Sequence, residues 1–112
     1  MAGAAGYPYR WDITRNDDVD VEFLFTFRNK SDGSLYSFTG KTVEYSVMDR
    51  GGAVVFSDDA VSVASSVGTF TIPAGTLDPG IYGHACRIRT TADDALEPAF
   101  AGKLVIEEGY FA

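Results

Sequence analysis

The stretch from Leu77 to Arg89 constrains the fold of this chain more than any other. Pro79-Gly80 predicts a turn, because proline fixes its own φ and glycine accepts backbone angles that other residues avoid. Beyond the turn, apolar side chains alternate with small or charged ones, as they do in a strand that buries one face. The residues on the predicted buried face are Tyr82, His84, Cys86 and Ile88. The stretch therefore predicts a turn that leads into a long, half-buried strand.

Asp78, Gly80 and Tyr82 have the spacing of a tyrosine corner. In immunoglobulin-like sandwiches, a tyrosine just inside a strand packs its ring in the core, and its hydroxyl bonds the backbone a few residues upstream. This motif predicts an all-β fold, an immunoglobulin-like antiparallel β-sandwich of about seven to eight strands.

The rest of the chain shows the same two-residue period, broken by turn residues. The longest alternating run is Val19 to Arg28, and Lys41 to Asp49 alternates in the same way. Further strands are predicted over Arg10 to Arg15, Ala53 to Ser57, Val61 to Ala64, Val67 to Ile72 and Phe100 to Glu107. No segment has a helical apolar period. The predicted organisation is a flexible N-terminal arm over residues 1–9, the sandwich over residues 10–107 and a short aromatic tail over residues 108–112.

Composition excludes several classes of protein. A chain of 112 residues with 46% hydrophobic residues is long enough for one core without metals or disulfides. The net charge is −7 with dispersed basic residues, which argues against a nucleic-acid-binding face. Cys86 is the single cysteine and predicts no intrachain disulfide. The opening residues do not resemble a signal peptide, and no apolar run reaches the ~20 residues of a membrane span, so we expect folding in a reducing cytoplasm.

Few residues suggest reaction chemistry. His84 and Cys86, two apart, could bind a metal or activate a thiol, but they share a buried strand face and lack further ligands, so a packed core histidine is the preferred interpretation. The acidic doublets could gather around calcium, but without an EF-hand pattern they are better explained as turns. These doublets are Asp17-Asp18, Asp58-Asp59 and Asp93-Asp94. We expect no enzyme, cofactor or metal site.

Aromatic residues cluster near the two ends of the chain. Their number is too large for so small a core, and exposed aromatics at chain ends are typical of protein–protein contacts. The predicted partner-binding residues are Tyr7, Tyr9, Trp11, Tyr110 and Phe111. The alternative is that they cover the open edges of the sandwich.

Several segments carry the pattern of a known family. They are Asp12 to Asp18, the run through Phe23 and Phe25, Asp32 to Leu35, Phe38 to Val43, Gly80-Ile81-Tyr82 and Gly102 to Ile106. Over residues 10–107 the chain resembles small immunoglobulin-like proteins of tailed bacteriophages. The closest likeness is to the N-terminal domain of phage baseplate upper proteins.

The resemblance implies a non-enzymatic structural component of a virion, in the tail or baseplate region. Such a component would be assembled in the bacterial host cytoplasm. It would bind other virion proteins and further copies of itself through sheet edges and terminal arms. One alternative is a head decoration protein of the same fold. Another is a small carbohydrate-binding module for host polysaccharide, with Trp11 and either Tyr36 or Tyr45 as sugar platforms.

Overall fold

Two packed β-sheets make up the fold. The computed structural model describes residues 9–29 and 32–109, and nine strands lie within them. They are β1 (Tyr9–Arg10), β2 (Ile13–Asn16), β3 (Val21–Thr26), β4 (Lys41–Met48), β5 (Val54–Asp58), β6 (Ser62–Ala64), β7 (Val67–Ile72), β8 (Gly80–Thr90) and β9 (Leu96–Glu107). Within these residues no helix is long and apolar enough to cross a membrane.

The larger sheet has the order β1-β9-β8-β4-β5, and β2 also pairs with β9. Its strands are antiparallel except that β1 and β2 run parallel to β9. The smaller sheet has the order β3-β7-β6 and is antiparallel throughout. The predicted all-β sandwich is confirmed, although nine strands are described rather than seven to eight and two of the strand pairings are parallel.

The core lies between the two sheets and is rich in aromatic rings. β4 contributes Val43, Tyr45 and Val47 from alternating positions, as its sequence predicts. Across the sandwich, the Phe70 ring of β7 contacts Tyr45 of β4 and Phe100 of β9 edge-on, with centroid distances of 5.2 Å and 5.5 Å. Aromatic pairs of this kind contribute about 0.5–1.5 kcal/mol beyond the area that they bury. This packing joins the sheets without a covalent link.

The N-terminal strand differs from its prediction. A single strand is expected over Arg10 to Arg15, but β1 and β2 are separated at Trp11 and Asp12. At this point a Cβ on Gly102 of β9 would overlap the Trp11 carbonyl. The Asp12 carboxylate accepts a hydrogen bond from the Lys103 backbone N–H at 2.8 Å. The Asp12 carboxylate therefore takes the place of a backbone carbonyl as acceptor for Lys103, at the point where the N-terminal segment lies too close to β9 for regular strand pairing.

Two other strand boundaries also shift. β3 begins at Val21, and Val19, predicted inside it, is 54% exposed. β9 begins at Leu96 rather than at Phe100 and includes Pro98. Proline is tolerated there because β1 pairs with β9 only from Phe100 onward, so this part of β9 is an edge within the described chain.

Most of the predicted N-terminal arm, residues 1–8, lies outside the described residues. Tyr9, its last residue, belongs to β1. In the predicted tail, Glu108 and Gly109 follow β9, and residues 110–112 lie outside the description.

Candidate functional site

The tyrosine corner stands at the start of β8. The Tyr82 hydroxyl donates a hydrogen bond to the Asp78 carbonyl at 2.7 Å, and the ring packs against the core. Burial raises the pKa of Tyr82, and the carboxylates of Asp78 and Asp49 add to this effect. Gly80 is the first residue of β8, immediately after the turn. These residues fix the entry of the chain into β8, which is an architectural role.

His84 lies at the centre of the core, 2% exposed, with both ring nitrogens in hydrogen bonds. Its Nε2 is 2.6 Å from the Trp11 carbonyl oxygen, and its Nδ1 is 2.9 Å from the Tyr45 hydroxyl. Because a carbonyl oxygen can only accept, Nε2 carries the proton and Nδ1 accepts from the Tyr45 hydroxyl. Burial lowers the pKa of His84, which favours this neutral tautomer. His84 thus joins β8, β4 and the N-terminal segment.

The position of His84 explains how the sandwich holds together without a disulfide. In antibody domains, the second cysteine of the inter-sheet disulfide follows the corner tyrosine by two residues. Here His84 has that spacing from Tyr82 and faces Phe23 of β3, with ring centroids 6.0 Å apart. The Tyr45 ring is 5.7 Å from both Phe23 and His84. Aromatic contacts between the two sheets therefore occupy the place of the covalent link.

Cys86 is also part of the core. It is 1% exposed, and burial raises the pKa of its thiol. A buried thiol with a raised pKa is inert, because the thiolate is the reactive form. The arrangement of His84 and Cys86 therefore suits packing, and neither side chain faces solvent.

Two of the three acidic doublets cap turns, and the third joins distant parts of the chain. In each doublet, the first aspartate accepts a hydrogen bond from a nearby backbone N–H. Asp58 and Asp93 accept from the N–H two residues later, at Ala60 and Ala95, each at 3.1 Å. Asp17 accepts from the N–H of Gly109, just after β9, at 2.8 Å. In the part of the chain that the structure describes, no group of three or more histidine, cysteine, aspartate or glutamate side chains is placed to hold a metal ion.

Trp11 is the one predicted partner-binding residue whose side chain the structure describes. Its ring is half-buried and contacts Phe23 and Phe100 edge-on, with centroid distances of 5.1 Å to each. Tyr9 belongs to β1, and Tyr7, Tyr110 and Phe111 lie outside the described residues. Trp11 therefore anchors the N-terminal segment to the core, and partner binding by these residues stays a prediction.

The aromatic residues considered for sugar binding are engaged within the protein. Tyr45 is 2% exposed, and Trp11 packs between the sheets. The Tyr36 hydroxyl donates to Glu97 at 2.7 Å, and burial together with Glu97 raises the pKa of Tyr36 to about 12. Lys41 Nζ lies 5.7 Å from the centroid of the Tyr36 ring. None of these three rings is presented as a free platform.

The outer face of the larger sheet carries an open concavity of about 350 Å³. Glu44 forms part of its lining and bonds Arg87 Nε at 2.6 Å and Arg89 Nε at 2.9 Å. Hydrogen bonds from Arg89, and then from Arg87, lower the pKa of Glu44. Both Glu44 carboxylate oxygens are therefore engaged within this cluster.

The open edge of β3 is the more distinctive feature. β3 hydrogen-bonds only β7 among the described strands, in an unbroken six-residue register. The next residue, Phe27, continues this ladder by donating its N–H to the Ser66 carbonyl at 2.8 Å. Backbone groups alternate in direction along an antiparallel ladder, so those of Glu22, Leu24 and Thr26 face away from β7. Leu24 is 59% exposed. Sequence alternation predicts β3 but not its place at an edge.

Neither a protein-family model nor a curated protein matches this chain.

Proposed function

We propose that the chain is a non-enzymatic structural component of a tailed-phage virion, in the tail or baseplate region. It binds neighbouring virion proteins through its sheet edges and terminal segments, and it is assembled in the cytoplasm of the bacterial host. The observation that carries this proposal is the contrast between a fully engaged core and an open strand edge. The buried polar groups bond within the chain, whereas β3 presents backbone donors and acceptors outward.

The resemblance to phage sandwich proteins supports the proposal through residues that shape turns and strand ends. Asp32 accepts hydrogen bonds from the Ser34 backbone N–H at 3.0 Å and from its hydroxyl at 2.7 Å. Gly40 has a φ of 71°, a conformation that glycine adopts without strain. The shared pattern therefore reflects a rigid framework, which is what a repeated assembly unit requires.

The core also fits assembly in a reducing compartment. A free, buried Cys86 and the aromatic contact between His84 and Phe23 across the sheets need no oxidation for the sandwich to fold. A protein made and assembled in the cytoplasm would be stabilised in this way.

Quantitative mass spectrometry of purified phage particles tests the proposal. Particles from cells that express the chain should contain it in a fixed ratio to the other virion proteins. Deletion of residues 1–9 should lower that ratio, because the N-terminal segment is predicted to bind a neighbour. A chain that folds, is expressed during infection and is absent from purified particles would contradict the proposal.

The same particles separate the alternatives. A head decoration protein would be found on tailless heads, whereas a tail or baseplate component would be found on isolated tails. The engaged rings of Trp11, Tyr36 and Tyr45 disfavour the carbohydrate-binding module. Titration calorimetry with host polysaccharide should therefore give no binding heat.

A further inference from the structure

The open strand edges of the described sandwich differ in how well they are protected. β1, β6 and β2 have two, three and four residues, so each offers few backbone groups, and the open part of β9 contains Pro98. β5 is paired through a register shift and is followed by Asp59, so two charges stand at its end. β3 has six residues, no proline or lysine and no register shift. Native proteins commonly protect edges with bulges, charges or short strands, and β3 has the least of this protection.

The outward groups of β3 match those of a second copy of β3. When two copies of β3 pair antiparallel with Leu24 opposite Leu24, Glu22 of each copy lies opposite Thr26 of the other. In this register, each residue whose backbone N–H and C=O face away from β7 lies opposite a residue of the second copy whose N–H and C=O also face outward. Such pairs form the hydrogen bonds of an antiparallel ladder. A register centred on Phe23 would instead pair groups that point toward β7. The two-fold register centred on Leu24 therefore satisfies the backbone groups of Glu22, Leu24 and Thr26 in both copies.

The side chains on the outer face are complementary in the same register. Leu24 meets Leu24 of the second copy, and Glu22 meets the hydroxyl of Thr26. Asp20, just before β3, falls opposite Arg28, just after it, and both residues are exposed. Opposite charges in facing cross-strand positions stabilise pairing, and like charges destabilise it. The strand thus carries acidic residues at one end and a basic residue at the other, which suits an antiparallel copy of itself.

Asp20 and Arg28 retain groups for this contact. Asp20 Oδ1 accepts from the Ala74 N–H at 2.9 Å, and its other oxygen has no partner among the described residues. Arg28 Nη1 donates to the Gly33 carbonyl at 3.0 Å. The remaining guanidinium N–H groups can still donate to a carboxylate.

We propose that two copies of this chain associate through antiparallel pairing of β3 with β3 about a two-fold axis at Leu24, which joins their smaller sheets into one six-stranded sheet. The inference deepens the proposed function and rests on it for its biological purpose, because it names the edge and the partner. The interface is isologous, since the same strand is contributed by both copies.

Sedimentation equilibrium of the purified full chain tests the inference with a matched pair of variants. Leu24 and Val54 are both 59% exposed, on β3 and β5 respectively. Leu24→Lys places two like charges at the two-fold axis and should raise the dimer Kd at least about ten-fold. Val54→Lys should leave the Kd within about two-fold of the wild-type value, because β5 is outside the interface. Circular dichroism should show that both variants fold.

Charge reversal tests the register. Asp20→Arg and Arg28→Glu should each weaken the dimer, because each places like charges opposite one another. The double variant D20R/R28E should restore association, because the opposite charges are exchanged and remain paired. Association that no single reversal weakens, or that the double variant fails to restore, would overturn the register.

Disulfide trapping gives an independent measurement. Paired residues in a hydrogen-bonded antiparallel position have Cα atoms about 5.5 Å apart, a separation that a disulfide can span. Leu24→Cys should therefore form a covalent dimer on mild oxidation, and Val54→Cys should not. Cys86 is buried and does not compete.

A wild-type chain that stays monomeric up to about 1 mM would overturn the inference, as would equal loss of the dimer in the Leu24→Lys and Val54→Lys variants. Neither result bears on whether particles contain the chain. The composition of the particles tests the proposed function separately, so the two failures are distinguishable.

Discussion

At the scale of single residues, His84 connects parts of the chain that are distant in sequence. Its hydrogen bonds to the Trp11 carbonyl and the Tyr45 hydroxyl join three segments at one buried point. Both bonds are satisfied when the ring is neutral. Protonation would place a donor on Nδ1 and a charge in the apolar core, which is unfavourable. The stability of the sandwich should therefore depend on the protonation of this one ring.

We predict that the free energy of unfolding falls as the pH is lowered from about 7.5 to about 5.5. Burial lowers the pKa of His84 in the folded chain, whereas the unfolded imidazole titrates near its ordinary value of about 6.5. Below that value the unfolded chain binds a proton that the folded chain does not, so stability is lost until the pH reaches the folded pKa. The slope should not exceed about 1.4 kcal/mol per pH unit, measured by urea denaturation.

His84 is the only histidine, so His84→Gln is a direct control and should lack this slope. The carboxylates with lowered pKa values, Asp12 and Glu44, contribute stability that is lost only at more acidic pH, as the pH falls below about 4.5. A wild-type chain whose stability is constant across this window would contradict the assigned tautomer and burial.

At the scale of elements, the N-terminal segment depends on one glycine. Trp11 and Asp12 approach β9 so closely that Gly102 has no room for a side chain. This close approach lets the Trp11 carbonyl reach His84 and the Asp12 carboxylate reach the Lys103 N–H. The break between β1 and β2 is therefore a specific contact that attaches the N-terminal segment to the core.

Gly102→Ala should destabilise the fold by about 1–3 kcal/mol, because its Cβ would overlap the Trp11 carbonyl. Gly83 on the neighbouring strand β8 is the matched control, since a Cβ there would meet only the Gly102 carbonyl at 4.0 Å. Thermal unfolding of Gly83→Ala should stay close to wild type. Hydrogen exchange should show faster exchange of β2 amides in Gly102→Ala. Equal stability of the two variants would show that the N-terminal segment does not depend on this contact.

The comparison of sequence and structure is clearest at this scale. Alternation predicts β4, β7 and β8 almost to the residue, because one face of each strand is buried against the other sheet. It does not predict the parallel pairing of β1 and β2 with β9, since side-chain period carries no information about a strand's neighbour. The start of β9 at Leu96 is not predicted, because Pro98 argues against a strand there. Proline is tolerated at a strand edge, and a sequence does not show which strands are edges.

The candidate sites were predictable to a similar extent. The spacing of Asp78, Gly80 and Tyr82 indicates the corner that the structure contains. The burial of His84 also follows from its position on the buried face of its strand. Its hydrogen bond to the Trp11 carbonyl does not follow from the sequence, because it joins residues far apart in the chain. The open edge of β3 follows only from tertiary structure. Partner binding by the terminal aromatics stays a prediction.

At the scale of the whole molecule, the sandwich combines a self-sufficient core with an open edge on β3. The net charge of −7 keeps separate copies apart at long range, so association needs a short-range complementary contact. The β3 edge supplies such a contact, with Leu24 at its centre and charges at its ends. A chain of this kind is suited to being a repeated unit of a larger assembly.

A cryo-electron microscopy reconstruction of the phage particle tests the virion assignment most directly. The account predicts density for this sandwich at repeated, equivalent positions in the tail or baseplate, with a neighbouring strand on the β3 edge. A complete reconstruction in which no density fits the sandwich would contradict the account.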